Sequence, residues 1–194
     1  MKQIILLAVS LFGVTFGNAQ LREKGTIELI PQIGYLSANY YGSEVGNNDP
    51  ISNVTFGVGG DYFFSNRWSL RSGLLYQTMG TQFLNYEEKL NYLTIPVNAN
   101  WHFGSTRKWN LNFGPSIGFL MSAEDNSGRD LKDLVNPTQI GLNYGIGYKI
   151  EVSEQFSILV DFQGMTGLTE VDKSGFFNFT NVASSFNVGG VFKL

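Results

Sequence analysis

Period-two alternation over residues 92–121 constrains this chain more than any other feature. Along 92–103 one parity reads Leu93, Ile95, Val97, Ala99, Trp101, Phe103, and the other Tyr92, Thr94, Pro96, Asn98, Asn100, His102. A polar break, Gly104-Ser105-Thr106-Arg107-Lys108, interrupts it. It then resumes with Trp109, Leu111, Phe113, Pro115, Ile117, Phe119 and Met121 against Asn110, Asn112, Gly114, Ser116 and Gly118. Strand side chains alternate between two faces, so these residues form two long strands joined by a tight reversal. One face is rich in aromatics; the other is small and uncharged.

The rest of the chain repeats this grammar. Strand one (26–40) sets Ile27, Leu29, Pro31, Ile33 and Tyr35 against Glu28, Gln32 and Gly34, and strand two covers 52–64. Strand three opens at Trp68, with Leu70, Leu74 and Tyr76 opposing Ser69, Arg71, Gly73 and Gln77. Strand six (140–152), strand seven from Phe156, and strand eight with Phe186, Val188, Phe192 and Leu194 follow suit. Residues 41–51, 84–90, 124–137 and 170–181 read as loops, the second of them charged, and helical periodicity is absent. Long connections after strands one, three, five and seven then alternate with short ones. An even strand count with this rhythm marks a transmembrane barrel with short periplasmic turns and longer external loops. The expected fold is all-β: an eight-stranded antiparallel up-and-down transmembrane β-barrel with both termini at the periplasmic end. Pairing Phe64 with Trp68, Phe103 with Trp109 and Val152 with Phe156 keeps apolar opposite apolar at each short turn.

Composition agrees. Charged residues are 15% of the chain, against about 25% in soluble domains, while aromatics reach 14%. There is no cysteine, which removes disulfides, thiolate metal sites and a lipoprotein anchor. A net charge of −3 offers no basic footprint for nucleic acid. The N-terminus carries Lys2, an apolar run from Ile4 to Phe16, and the small-x-small sequence Gly17-Asn18-Ala19. This predicts a cleaved signal peptide over 1–19, a barrel domain over 20–194, and delivery to the outer membrane. The run is too short for a spanning helix, which needs about 20 apolar residues.

An eight-stranded barrel is just wide enough for side chains to fill. The small polar phase, with Gly34, Gly145 and Gly147 among its glycines, is therefore expected inside, and the apolar phase against lipid. Trp68, Trp101 and Trp109, with Phe64, Phe103 and Phe156, sit beside the short turns and form an expected aromatic girdle. Tyr40, Tyr41, Tyr76 and Phe119 mark a second girdle at the opposite end. The rival architecture is a secreted lipocalin-like ligand carrier, with its apolar phase inside and a charged coat outside. The scarcity of Lys and Glu on the polar phase and the lack of Gly-x-Trp in strand one argue against it.

Polar side chains at lumen positions suggest a structural charge network. Folding about 65–67 sets Asp61 opposite Arg71. Lys149 lies diagonal to Asp161, and Glu28 meets Lys193 where strand one closes on strand eight. Such buried charges require partners. His102, the only histidine, faces inward opposite Asn110, and the sequence places neither nucleophile nor orienting carboxylate beside it. Loop 124–137 carries Glu124, Asp125, Asp130 and Asp133 without calcium-loop spacing and reads as a solvated surface loop that could meet a partner. No catalytic residue, cofactor site or metal site is expected.

Four stretches, Tyr92-Leu93-Thr94-Ile95-Pro96-Val97, Gly114-Pro115-Ser116-Ile117-Gly118, Ile140–Tyr148 and Gly167-Leu168-Thr169, carry a resemblance to the PorT-like small outer-membrane β-barrels of Bacteroidetes-type bacteria. The likeness spans nearly the whole mature chain, and its named member is linked to protein secretion across the outer membrane. It implies a non-enzymatic structural or interaction component beside a secretion or uptake complex; the alternative is loop- or lumen-mediated binding or transport. The last residues are similar to the β-signal read by the barrel-assembly machinery: Asn187, Gly189, Phe192 and Leu194 occupy its polar, glycine and hydrophobic positions. Leu194 departs from the usual terminal aromatic. The expected partners are outer-membrane lipid, that machinery during biogenesis, and a protein reached through the external loops.

Overall fold

The computed structural model describes residues 22–43 and 45–194, so the expected signal peptide lies outside the described residues. Eight strands follow in order: β1 (Ile27–Gly42), β2 (Asp49–Phe63), β3 (Trp68–Phe83), β4 (Tyr86–Phe103), β5 (Trp109–Asp125), β6 (Thr138–Glu151), β7 (Phe156–Gly167) and β8 (Phe179–Lys193). Each pairs antiparallel with the next, and β8 pairs with β1 to close the barrel. Closure removes the open strand edges that hydrocarbon does not tolerate in a sheet. No helix among the described residues is long and apolar enough to cross a membrane.

The register follows the side-chain pattern at the short turns. Phe103 stands opposite Trp109 and His102 opposite Asn110. The amide of Phe64 donates to Trp68 O at 3.2 Å, and that of Val152 to Phe156 O at 3.1 Å. The apolar phase points outward: Leu74 and Val97 remain 46% and 44% exposed, while Asn98, Asn100, Asn110 and Asn112 are buried. A lipocalin-like carrier requires the reverse.

Residues 84–90 are not a loop. β3 runs to Phe83, β4 starts at Tyr86, and Leu84-Asn85 alone connect them, with Leu84 at a φ of 53°. Glu87 and Lys89 ride on a paired ladder opposite Gln82 and Gly80. Their charge marks a strand that has risen into water rather than a break in pairing. The strict alternation of long and short connections therefore fails at this hairpin, while the strand count stands.

The barrel interior is layered. At the end with the long connections, Leu36, Tyr40, Met79, Leu90, Tyr92 and Leu120 form an apolar cluster with Leu131, Val135 and Val171 from the β5–β6 and β7–β8 connections. The expectation of a uniformly small and polar lumen is thus corrected, and so are two others. Tyr40 belongs to this plug rather than to a second girdle, and the 124–137 segment turns Leu131 and Val135 inward instead of lying wholly in solvent. A β-bulge assists: Asn91 pairs Ser122 but Tyr92 pairs Leu120, and the extra residue brings Ala123 inward. Mid-lumen is a cavity of ≈70 Å³ lined by apolar residues such as Ile30, Leu36 and Met165 together with Gln32, Thr55, Asn98, Asn143 and Gln163, large enough for a few waters. Below it, at the short-turn end, lies a cluster of charges.

Close approach explains the inward glycines. A Cβ on Gly114 would stand 2.1 Å from Val97 O and 2.8 Å from Asn98 Cα. On Gly145 it would fall 2.2 Å from the Gln163 amide. At Gly114 the obstacle is backbone that cannot move, so the position needs a residue without a side chain, whereas the Gln163 tip beside Gly145 can swing aside.

Candidate functional site

The lumen charge cluster starts from the cross-strand pair that the β2–β3 turn dictates. Arg71 donates Nε to Asp61 Oδ1 at 3.0 Å and Nη2 to Oδ2 at 2.9 Å, a bidentate fork. Asn100 Nδ2 adds two contacts to the same carboxylate at 3.3 Å. Arg71 Nη1 also stands 3.5 Å from Asp161 Oδ2, whose carboxylate accepts from Asn187 Nδ2 at 2.8 Å and Gln163 Nε2 at 3.0 Å. Lys149 Nζ donates to Asp61 Oδ2 at 3.1 Å and to Glu28, which also accepts from Arg22 Nε. At the rim, Lys108 Nζ is 3.2 Å from Glu151 Oε2. Arg22, Arg71 and Lys149 thus face Glu28, Asp61 and Asp161, and every one of these six is buried. Buried ions persist when each charge has a partner.

Two expected pairings do not form. Lys149 bonds Glu28 and Asp61 rather than Asp161, because the lumen is narrow enough for its long stem to cross it while Arg71 already holds Asp161. Glu28 is in register with Lys193, but its carboxylate turns inward and the Lys193 side chain stays exposed. Arg22 went unrecognised because it precedes β1 and belongs to no alternating run. Its guanidinium enters the barrel mouth 6.0 Å from the Phe63 ring centroid, and the segment behind it is tied by Gly25 N to Phe63 O at 2.7 Å.

His102 has a neighbour that sequence did not supply. Ser69 Oγ lies 2.9 Å from Nε2, and Asn100 Nδ2 is 3.3 Å from the same nitrogen. A serine–histidine contact suggests nucleophile activation. Here both residues are fully buried, Nδ1 has no partner, and Asp61 is reached only through Asn100. Phe63 packs against the ring at 4.7 Å. The arrangement packs the lumen, with the serine and the histidine both closed off from solvent. Among the described residues no His, Cys, Asp and Glu grouping could hold a metal ion.

The short-turn aromatics form a band on the outer wall. Ring centroids run Trp68–Trp101 at 6.2 Å, Trp101–Phe103 at 5.1 Å, Phe103–Trp109 at 6.3 Å and Trp109–Tyr148 at 4.8 Å. Phe156 meets Phe192 at 5.0 Å, and Phe64 is exposed beside Trp68. Along β8, Asn187 points into the lumen, Gly189 would bring a Cβ within 3.0 Å of Pro31 O, and Phe192 and Leu194 are exposed.

At the opposite end the two long connections are bound to each other. Asn136 N donates to Val171 O at 2.9 Å, Lys173 N to Leu134 O at 3.0 Å, and Asn136 Nδ2 to Glu170 O and Asp172 O at 2.9 and 3.1 Å. Asp172 Oδ2 accepts from Ser174 Oγ at 2.5 Å and from the amides of Phe176 and Phe177 at 3.1 and 3.3 Å. The Ser174 hydroxyl and these amides hold the Asp172 carboxyl below its ordinary value. The clamp presents Phe176 (81% exposed) and Phe177 (56%) to the outside.

The family profile described as outer membrane protein beta-barrel domain matches residues 10–173. Comparison with curated proteins found no match. Among solved structures the chain is similar to Neisserial surface protein A, at 14% identity and a TM-score of 0.58 over 87% of this chain and 97% of that one. It is also similar to Ail of Yersinia pestis, solved with the heparin analogue sucrose octasulfate, at 14% identity and a TM-score of 0.51, covering 89% and 100%. At that identity the likeness is one of fold.

Proposed function

The chain belongs to the outer membrane protein beta-barrel domain family, and from that premise we propose that it is a non-enzymatic outer-membrane scaffold whose long-connection end meets a protein partner. One observation carries the reading: the lumen is filled at both ends. Charge pairs close it at the short turns, and an apolar plug held by two mutually bonded connections closes it at the other end. An eight-stranded barrel so packed has no aqueous path, so its useful surface is external, where rigid connections present side chains.

The finer parts of the reading rest on residues already described. The chain is exported by a signal peptide cut after Ala19, and its short-turn end, with both termini, faces the periplasm. The tryptophan and phenylalanine band lies at that interface. Asn187, Gly189, Phe192 and Leu194 are read by the barrel-assembly machinery, and the six buried charges plug the lumen structurally. The PorT-like resemblance supports placing the protein beside a secretion or uptake complex. Affinity purification of the native protein from outer membranes tests this: a specific co-purifying protein is expected, and a clean monomer would overturn it. Planar-bilayer recording is expected to be silent, and discrete conductance steps would favour transport instead.

A further inference from the structure

The long-connection end is one hydrogen-bonded platform rather than a set of separate loops. Besides the bonds that join 124–137 to 168–178, Asn126 N donates to Glu87 O at 3.0 Å and Asn126 Nδ2 to Asn85 O at 2.6 Å, which ties the β3–β4 hairpin into the same assembly. On this base Leu134, Phe176 and Phe177 stand in solvent, and no large apolar side chain among the described residues is more exposed than Phe176. Lys173 N bonds Leu134 O and Asp172 pins the amides of both phenylalanines, so the three belong to one ridge. Beyond Phe162 on β7 and Phe186 on β8, the outward positions toward this end are Gly164, Thr166, Ser184, Val182 and Thr180. They are mostly small or polar, and they set the ridge apart from the lipid-facing wall.

Charge decides what can cover this ridge. Segments 84–90, 124–137 and 168–178 hold eight acidic residues and four basic ones. Lys89 is paired with Glu87 at 3.1 Å and Arg129 with Asp125 at 3.2 Å. Lys132 and Lys173 are the basic residues left, against exposed Glu124, Asp133 and Glu170, and none of these five is in an ion pair among the described residues. Asp133 adjoins Leu134, and Glu170 O accepts from Asn136 of the same ridge at 2.9 Å. We propose that the ridge docks a basic segment of a partner protein, whose apolar side chains pack on Leu134, Phe176 and Phe177 while its Lys or Arg cations meet Asp133 and Glu170. The inference rests on the reading of this end as the partner-facing surface and narrows that reading to one chemistry. Aromatic anchors already fixed in place suit such a segment, because little of the ridge has to be ordered on contact. A polyanionic glycan or an anionic lipid headgroup meets like charge here, and a second copy would set acid against acid.

Site-specific photocrosslinking of the full-length protein in isolated outer membranes tests the assignment. With p-benzoylphenylalanine at Leu134, and separately at Phe176, ultraviolet light is expected to yield a protein adduct whose linked peptide carries Lys or Arg beside apolar residues, as read by mass spectrometry. Phe176→Ser with Phe177→Ser, followed from position 134, is expected to lower the adduct yield about tenfold through loss of both anchors. Asp133→Lys with Glu170→Lys, followed from position 176, is expected to lower it about fivefold, and Asp133→Asn with Glu170→Gln by less. Added salt should weaken the wild-type adduct in the same direction. The heat-dependent shift of the gel band checks that each variant folds. An acidic or uncharged linked peptide, an adduct to lipid, glycan or a second copy, unchanged yield from the charge variants, or the same adduct from the crosslinker at Val97 on the lipid-facing wall would each overturn the proposal. A protein adduct of the wrong chemistry defeats only this inference, whereas no protein adduct from either position defeats the partner reading along with it.

Discussion

Lys149 of β6 reaches across the lumen to Asp61 of β2, Nζ to Oδ2 at 3.1 Å, and those two strands sit on opposite sides of an eight-membered ring. The two side chains together therefore span the barrel's width, and the Lys149 ammonium serves Glu28 as well. The lumen is held together by contacts through its centre in addition to the wall's ladders.

Lys149→Met is expected to lower stability by about 3–5 kcal/mol, because Glu28 and Asp61 lose a shared cation while remaining buried. Adding Glu28→Gln should recover part of the loss by removing one of the stranded charges. Equilibrium unfolding in urea from lipid vesicles, followed by tryptophan fluorescence, measures both. Equal stability of Lys149→Met and wild type would show that water already solvates the cluster.

Gly114→Ala and Gly118→Ala separate backbone crowding from tip crowding. The first drives a methyl against Val97 O and Asn98 Cα, neither of which can rotate away, so a cost of about 3 kcal/mol or failure to refold is expected. The second meets Thr94 Oγ1 at 3.3 Å and Tyr92 Cδ1 at 3.4 Å, which can give by a few tenths of an ångström, and should refold. The folded band fraction on unheated gels reads the difference.

The Asp172 clamp predicts protease behaviour at the far end of the barrel. Asp172→Ala releases the amides of Phe176 and Phe177, and chymotrypsin should cut there several-fold faster at neutral pH. The carboxyl is held low, so its contribution is present above the ordinary carboxylate range near about 4 and disappears as pH falls through the lower folded value. Hydrogen exchange at those two amides should stay slow at mildly acidic pH and quicken only well below that range.

The β1–β8 ladder carries no pair between Leu29↔Phe192 and Gln32↔Gly189, and Pro31→Val returns an N–H there without adding bulk inside the lumen. A missing donor in a lipid-facing ladder is costly, so the unfolding midpoint should rise, by an amount near about 1 kcal/mol in free energy. An unchanged midpoint would mean that the seam accommodates the proline without loss.

The wall was readable in the sequence because its cause is local. Alternation placed Leu74 and Val97 outside and Asn98 and Asn112 inside, and three short turns set the register that brings Asp61 opposite Arg71. The interior was readable only as a set of residues. Side chains such as Lys149 choose partners across the ring, a distance that strand-by-strand register does not encode, and Arg22 comes from outside any strand. The β3–β4 hairpin misread as a loop shows the same limit from the opposite side. Charge at Glu87 and Lys89 reports the solvent around a residue, and ladder pairing is indifferent to it. The apolar plug went unseen because the inward phase changes character with height, and the bulge beside Met121 flips the parity that a simple count assumes.

Arg22 and Glu28 flank the start of the first stave, Glu28 directly opposite Asp61 on the second, while Lys149 waits on the far side of the ring. Until that stave swings in, the waiting ammonium lacks Glu28, and the mouth lacks its arginine stopper. Zipping the cylinder shut and neutralising its middle are thus one event. A half-assembled sheet would carry mismatched ions at hydrocarbon depth, so such an intermediate should be fleeting and maturation switch-like.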